Sequence, residues 1–153
     1  SNFKFLATIQ DNDQPSESKK PLEGYISANK DLVTVFSLGS EGPDVGVMSA
    51  IESQGKSGEI LHYGFDYTDT WLKGIEDGRI AAIVDQDAYQ IGYQVIENLV
   101  KAIDGEEIDK TIPIDVKYVK AADLKAYGEE KSKIKTGSTD DAETKDSETK
   151  DSE

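Results

Sequence analysis

Ile60-Leu61-His62-Tyr63-Gly64-Phe65 is an apolar run of β-forming residues, and Asp66-Tyr67-Thr68-Asp69 breaks it. Trp71, Leu72 and Ile75 then mark one face of a short helix that Gly78 ends, and Ile80-Ala81-Ala82-Ile83-Val84 is apolar again. Strand, helix and strand in so short a compass make a crossover unit, which joins parallel strands with a right-handed turn. The same alternation continues on both sides. Upstream, Leu32 to Leu38 reads as a strand covered on both faces, because no charge interrupts it. Gly39 to Asp44 turns into a helix on which Val45, Met48 and Ile51 recur at helical spacing until Gly55 closes it. Earlier still, Phe3 to Ile9 reads as a strand, Gln10 to Gln14 as a polar loop, and the following segment as a helix ending near Asn29 that Pro21 either opens or kinks.

Downstream, the helix from Asp87 to Asp104 has the clearest pattern. Ile91, Val95, Leu99 and Ile103 fall four apart and Gly105 follows the last turn. Ile112 to Val119 alternates as a half-buried strand, and Ala121 to Tyr127 forms one more helical turn. The fold class is therefore α/β: a three-layer sandwich with a mainly parallel sheet and helices on both faces. Residues 1–127 are assigned to this domain, and 128–153 to a disordered acidic tail. From Lys131 Ser, Thr, Lys, Asp and Glu dominate, and Glu143-Thr144-Lys145-Asp146-Ser147 repeats as Glu148-Thr149-Lys150-Asp151-Ser152. Such a segment has too little apolar surface to offset its ordering entropy.

Composition narrows the chemistry. The 153 residues carry a net charge of -14, no Cys and one His, which excludes disulfides, thiol catalysis, zinc fingers and any constellation with two imidazoles. Residues 131–153 hold five Lys and seven acids, so -12 of that charge lies on the body. An acidic surface repels phosphate backbones and anionic headgroups, and no nucleic-acid partner is expected. There is no apolar run long enough to span a bilayer, and no signal peptide opens the chain. The start without Met, directly before a strand-like run, reads as a processed protein or a fragment.

In a parallel sheet, ligands meet the loops beyond the carboxyl ends of the strands. Here these are Gln10 to Gln14, Gly39 to Asp44, Asp66 to Asp69 and Asp85 to Tyr89. Gly39, Gly42 and Gly46 lack the Lys of a phosphate-binding loop and sit beside Glu41 and Asp44, so a flexible turn is the better reading. Asp66, Asp85 and Asp87 lack calcium-loop spacing, and no metal or cofactor is expected. Asp66, and Asp85-Gln86, at strand ends can together accept from and donate to several hydroxyls, as a polyol requires, but on composition alone capping is the better reading. His62 lies inside a strand and is structural, and Trp71 is better placed for packing than for stacking on a sugar.

Several of these short motifs occur together and in order. Val35-Phe36 before a Gly-rich turn, Val45-Gly46-Val47-Met48-Ser49-Ala50-Ile51, Gly64-Phe65-Asp66, Ile75-Glu76-Asp77-Gly78-Arg79-Ile80-Ala81-Ala82, Val84-Asp85-Gln86 and Gln90-Ile91-Gly92 follow one another. This set resembles the C-terminal half of a type 1 periplasmic sugar-binding protein, the ribose-binding-like substrate-binding component of ABC transporters, from about Phe3 to Leu124. The resemblance implies two lobes that close on a monosaccharide, capture without catalysis, an ABC permease as partner and an extracytoplasmic location in the periplasm or as a cell-surface lipoprotein. It places sugar contacts on Asp66 and Gln86, a further polar contact on the turn at Gly39 and Ser40, and Asp13 in the loop where the family often has an aromatic. It also implies that the N-terminal lobe is missing and that helix 87–104 would have packed on it. The Ile91, Val95, Leu99 and Ile103 stripe is then expected to fold back on the chain's own sheet or to self-associate with a second copy. The alternatives are the effector-binding domain of a lactose-repressor-type regulator, which would need a basic headpiece absent here, and a sensory ligand-binding module. No catalytic motif supports an enzyme.

Overall fold

The computed structural model describes residues 3–39 and 41–136. Its strands are β1 (Thr34–Phe36), β2 (Leu61–Phe65), β3 (Ala82–Asp85) and β4 (Lys117–Lys120). Its helices are α1 (Pro15–Ala28), α2 (Glu41–Ser53), α3 (Asp69–Glu76), α4 (Ala88–Ile103) and α5 (Leu124–Thr136). The sheet runs β1-β2-β3-β4, with β1, β2 and β3 parallel and β4 antiparallel to β3. The α/β class and mainly parallel sheet thus agree with the sequence pattern.

Register decides which side chains form the core. Val35 pairs with His62, Gly64 with Ile83 and Ile83 with Val119, so these five residues share one face. Four helices pack there. Met48 of α2, Trp71 and Ile75 of α3 and Tyr127 of α5 close on Ile80, Ile83 and Val119. Leu22 and Ile26 of α1 join Val47, Ala50 and Ile51 of α2 with Ile60, and Val35 packs against that group. Each aliphatic side chain so buried contributes about 1.5–3 kcal/mol. Fit is tight at two glycines: a Cβ on Gly64 would lie 2.1 Å from the Trp71 ring, and one on Gly46 would lie 2.0 Å from Ser18 Oγ. The Gly46 contact lets α1 and α2 meet, while the buried Ser18 hydroxyl donates to Pro43 O at 3.0 Å.

The opposite face presents Phe36, Leu61 and Tyr118 to solvent. Leu32 to Leu38 is therefore not a doubly covered strand: only Thr34–Phe36 pairs, at the sheet edge, and Phe36 is 52% exposed. An uncharged run cannot distinguish two covered faces from one face left bare. Phe3 to Ile9 forms no strand: its aromatic side chains are not taken into the core, and Phe5 remains 80% exposed. The strand expected over Ile112 to Val119 begins only at Lys117. On α2 the buried hydrophobic residues of the core include Val47, Met48, Ala50 and Ile51, with Val45 left at the surface. α1 begins at Pro15, which needs no helical donor, and carries Pro21 inside.

Two further corrections concern the C-terminal third. None of α4 is buried, so its stripe does not fold back on the chain's own sheet, and Ile103 is 75% exposed. Helix α5 runs on to Thr136, through residues that composition had assigned to the tail. Its anchors are tertiary: Tyr127 in the core and Lys131 paired with Asp85. Composition alone does not register such partners. The rest of the expected tail, residues 137–153, lies outside the described residues.

Candidate binding site at the strand ends

Because β1, β2 and β3 are parallel, the loops carrying Gly39, Asp66 and Gln86 leave the same edge of the sheet. Asp66 follows β2 directly with φ of 82°, and its N–H donates to Val84 O at 2.8 Å. That bond ties the loop to the neighbouring strand. Gln86 follows β3, and its Nε2 donates to Asp66 Oδ1 at 2.6 Å. Both side chains are half-buried. Spending one amide hydrogen and one carboxylate oxygen on each other leaves Asp66 Oδ2 and Gln86 Oε1 as acceptors beside one remaining N–H donor. That mixed set matches hydroxyl groups, which both donate and accept.

Asp13 and Gly39 form a second group. Asp13 has φ of 57°, its N–H donates to Asp11 Oδ1 at 3.1 Å, and its Oδ1 lies 3.6 Å from where a Cβ on Gly39 would stand. The backbone of Asp13 also crowds Gly42, where a Cβ would come within 2.3 Å of Asp13 O. The glycines after β1 thus serve close approach of the Gln10 to Gln14 loop to the start of α2. Ser40 lies outside the described residues. The four other sequence-derived candidates fall into two pairs, Asp66 with Gln86 and Asp13 with Gly39, along one edge.

Among the described residues, the non-glycine residues with positive φ are Asn12, Asp13, Asp66 and Asp87, and all of them lie in these edge loops. Left-handed backbone costs a non-glycine residue free energy, and such costs gather where geometry serves a site. Asp87 (φ 53°) caps α4 by accepting from Gln90 N–H at 3.5 Å.

Next to Gln86 the structure assembles a cluster that sequence reasoning missed. Asp85 is buried and accepts from the Tyr127 hydroxyl, from Asp87 N–H at 3.1 Å and from Lys131 Nζ at 2.8 Å. Lys131 also reaches Asp87 Oδ1 at 3.3 Å and lies over the Tyr67 and Tyr127 rings at 5.7 and 5.3 Å. Burial alone would raise the Asp85 carboxyl, but hydrogen bonds from Lys131 and Tyr127 hold it below its ordinary range. Burial would lower Lys131, and its bond to Asp85 raises it instead. Burial, followed by the Asp85 bond, raises the Tyr127 phenol. The acids flanking Gln86 were the visible signal; their cation was hidden in the stretch read as tail. Asp85 and Asp87 are bridged by an ammonium, and among the described residues no three acidic or imidazole groups converge on a metal position.

His62 and Trp71 are structural. His62 Nε2 and Ser37 Oγ share a hydrogen bond of 2.8 Å, and the ring lies 5.2 Å from that of Trp71, which is fully buried.

This α/β lobe, with polar side chains at the carboxyl ends of its parallel strands, has the fold of type 1 periplasmic binding proteins. Residues 1–107 match the family described as periplasmic binding protein domain, and the chain belongs to that family. It is 32% identical over 98 residues to the ribose import binding protein RbsB of Escherichia coli, a match covering 64% of this chain and 32% of that protein. The Salmonella typhimurium protein of the same name is 28% identical over 117 residues, covering 76% and 39%. The chain thus spans well under half the length of these relatives. Among solved structures, an ABC transporter solute-binding protein from Agrobacterium vitis with bound D-fucose is 26% identical, with a TM-score of 0.69 over 78% of this chain and 41% of that one. A solute-binding protein from Actinobacillus succinogenes with bound D-allose shares the fold at 22% identity and a TM-score of 0.72, covering 81% and 44%.

Proposed function

We propose that this chain forms one wall of a sugar-binding cleft in an extracytoplasmic solute-binding protein that delivers a monosaccharide to an ABC permease without catalysing a reaction. The observation that carries this reading is the Asp66–Gln86 pair, joined at 2.6 Å across the ends of adjacent parallel strands and offering both donors and acceptors to hydroxyls. Family membership and the relatives' names, ribose import binding protein and a D-fucose-bound solute-binding protein, support the ligand class. Asp13 and Gly39 extend the same wall. A wall supplies half the hydrogen bonds and less than half the enclosure, so its own affinity is weak. The exposed α4 stripe is proposed to mediate self-association when nothing else covers it.

Titration of the 153-residue chain with D-ribose and D-fucose, followed by NMR shifts, tests this. The expected result is a set of shifts centred on Asp66 and Gln86, with a Kd of about 1 mM or weaker. Asp66→Ala and Gln86→Ala should each abolish it, because a bond to a charged or buried partner is worth roughly 1.5–3 kcal/mol. Micromolar binding by the isolated chain would contradict the one-wall reading. Shifts confined to other loops would remove Asp66 and Gln86 from the site.

A further inference from the structure

Gln86 stands between two carboxylates that one cation holds. Asp85 ends β3 and Asp87 begins the turn into α4, and Lys131, one α-helix further along the chain, bridges Asp85 Oδ2 at 2.8 Å and Asp87 Oδ1 at 3.3 Å. The same short segment is closed from within by the bond from Asp87 N–H to Asp85 Oδ1 and by the left-handed backbone of Asp87. The Lys131 side chain is 12% exposed and that of Asp85 4%, so the bridge is largely shielded from water. Side chains flexible in solution are thus fixed on both sides of the one residue whose amide must reach Asp66.

We propose that Lys131 is a positioning residue for the ligand-binding wall: by clamping Asp85 and Asp87 it fixes the backbone of Gln86 and so aims its amide at Asp66 and at the ligand. The proposal rests on the sugar-binding reading for its last step only. Without the ammonium, two carboxylates two residues apart would repel each other at low exposure, and the left-handed turn at Asp87 would lose the contact that offsets its cost. Tyr127, which donates to Asp85 and belongs to the core, sets where α5 lies and therefore where Lys131 arrives. Tyr67, packed edge-on against Tyr127 at 5.2 Å, links this arrangement to the loop that carries Asp66. The clamp therefore flanks Gln86 in the chain and reaches, through Tyr67, the residue that follows Asp66.

The test uses the full 153-residue chain and the side-chain amide resonances of Gln86, which report its bond to Asp66 with no ligand present. Lys131→Met should collapse the Gln86 amide shifts toward those of a solvated glutamine and speed its hydrogen exchange, whereas Lys131→Arg should restore both. Asp87→Asn keeps the helix cap and tolerates the left-handed backbone while removing one arm of the clamp, so a partial change is expected in a variant that stays folded. In the same samples the D-ribose or D-fucose response of Lys131→Met should weaken about tenfold, the effect of a displaced hydrogen-bonding group. A Lys131→Met chain that melts earlier yet keeps its Gln86 amide signals unchanged would overturn the proposal, leaving Lys131 a structural strut. Loss of the amide signature in a protein whose wild type ignores both sugars would retain the clamp and refute the sugar reading instead.

Discussion

His62 is 1% exposed, and burial lowers its pKa from 6.5 to about 4. The neutral ring fits between Ser37 and Trp71, whereas an imidazolium there would have to shed water with one ring nitrogen, Nδ1, buried without a hydrogen-bond partner. The consequence for stability has a definite sign. A depressed folded pKa means that the unfolded chain binds the proton first, so the full contribution is present above pH 6.5 and is lost as the pH falls toward about 4. Between pH 6.5 and about 5, where most carboxylates remain ionised, roughly 2 kcal/mol should disappear, at about 1.4 kcal/mol per pH unit. Urea denaturation across that interval measures it, and His62→Gln should flatten the slope; an unchanged slope would place the proton elsewhere. The sequence already assigned this residue to structure, because a lone imidazole inside an apolar strand has no second group with which to do chemistry. The places of Asp66 and Gln86 after their strands were legible, but their role as ligand contacts came from the family resemblance, and their hydrogen bond to each other is visible only in the fold. Lys131 was not legible, because its meaning comes from Asp85 and Asp87, more than forty residues away.

At the scale of elements, the same contrast separates α3 from α5. α3 is specified locally: Thr68 caps it by accepting from Trp71 N–H at 3.3 Å, Trp71 and Ile75 share the buried face, and Gly78 with φ of 74° ends it. α5 has only modest apolar content, and it is held by Tyr127 and Lys131. Its docking is therefore electrostatic enough to be titrated. Asp85 is held below its ordinary 3.8, so its contribution is complete above that value and is lost as acid titrates the depressed group. Lys131 is held above its ordinary 10.5, so its contribution is complete below that value and is lost as alkali titrates the raised group. Asp87, Tyr127, Tyr67, Asp69 acting on Tyr67, and Lys117, which lies 5.5 Å from the Tyr127 ring, are among the other charged or titratable groups facing the cluster. Near-ultraviolet circular dichroism of the tyrosines should accordingly stay constant across the neutral range and change in acid, as the Asp85 carboxylate that accepts from Tyr127 is protonated. Lys131→Met should lower the plateau and move the acid limb to higher pH; a wild-type signal independent of pH in acid would mean that Tyr127 is held by packing alone.

At the scale of the whole molecule, the helices that are packed all lie on one face of the sheet, and much apolar surface remains outside them. Alternating strands and helices gave the α/β class correctly, but the pattern cannot say which face a helix will find, because α4 is as amphipathic as a packed helix. Its Ile91, Val95, Leu99 and Ile103 remain exposed, as do Phe36, Leu61 and Tyr118 on the uncovered face of the sheet. Fully burying each large aliphatic side chain is worth about 1.5–3 kcal/mol, so covering the α4 stripe is strongly favoured. Against this stands charge: two copies at -14 each repel. Salt shortens the reach of that repulsion, from a Debye length of about 30 Å at ~10 mM to about 3 Å at ~1 M, while leaving apolar burial intact. Sedimentation velocity should therefore show self-association of the chain that strengthens with both protein concentration and ionic strength, the reverse of an assembly held by ion pairs. Val95→Lys with Leu99→Lys, both at exposed positions and so neutral for the fold, should return the chain to monomer at every salt concentration. A wild-type chain that stays monomeric at high protein and high salt would show that the stripe does not mediate self-association.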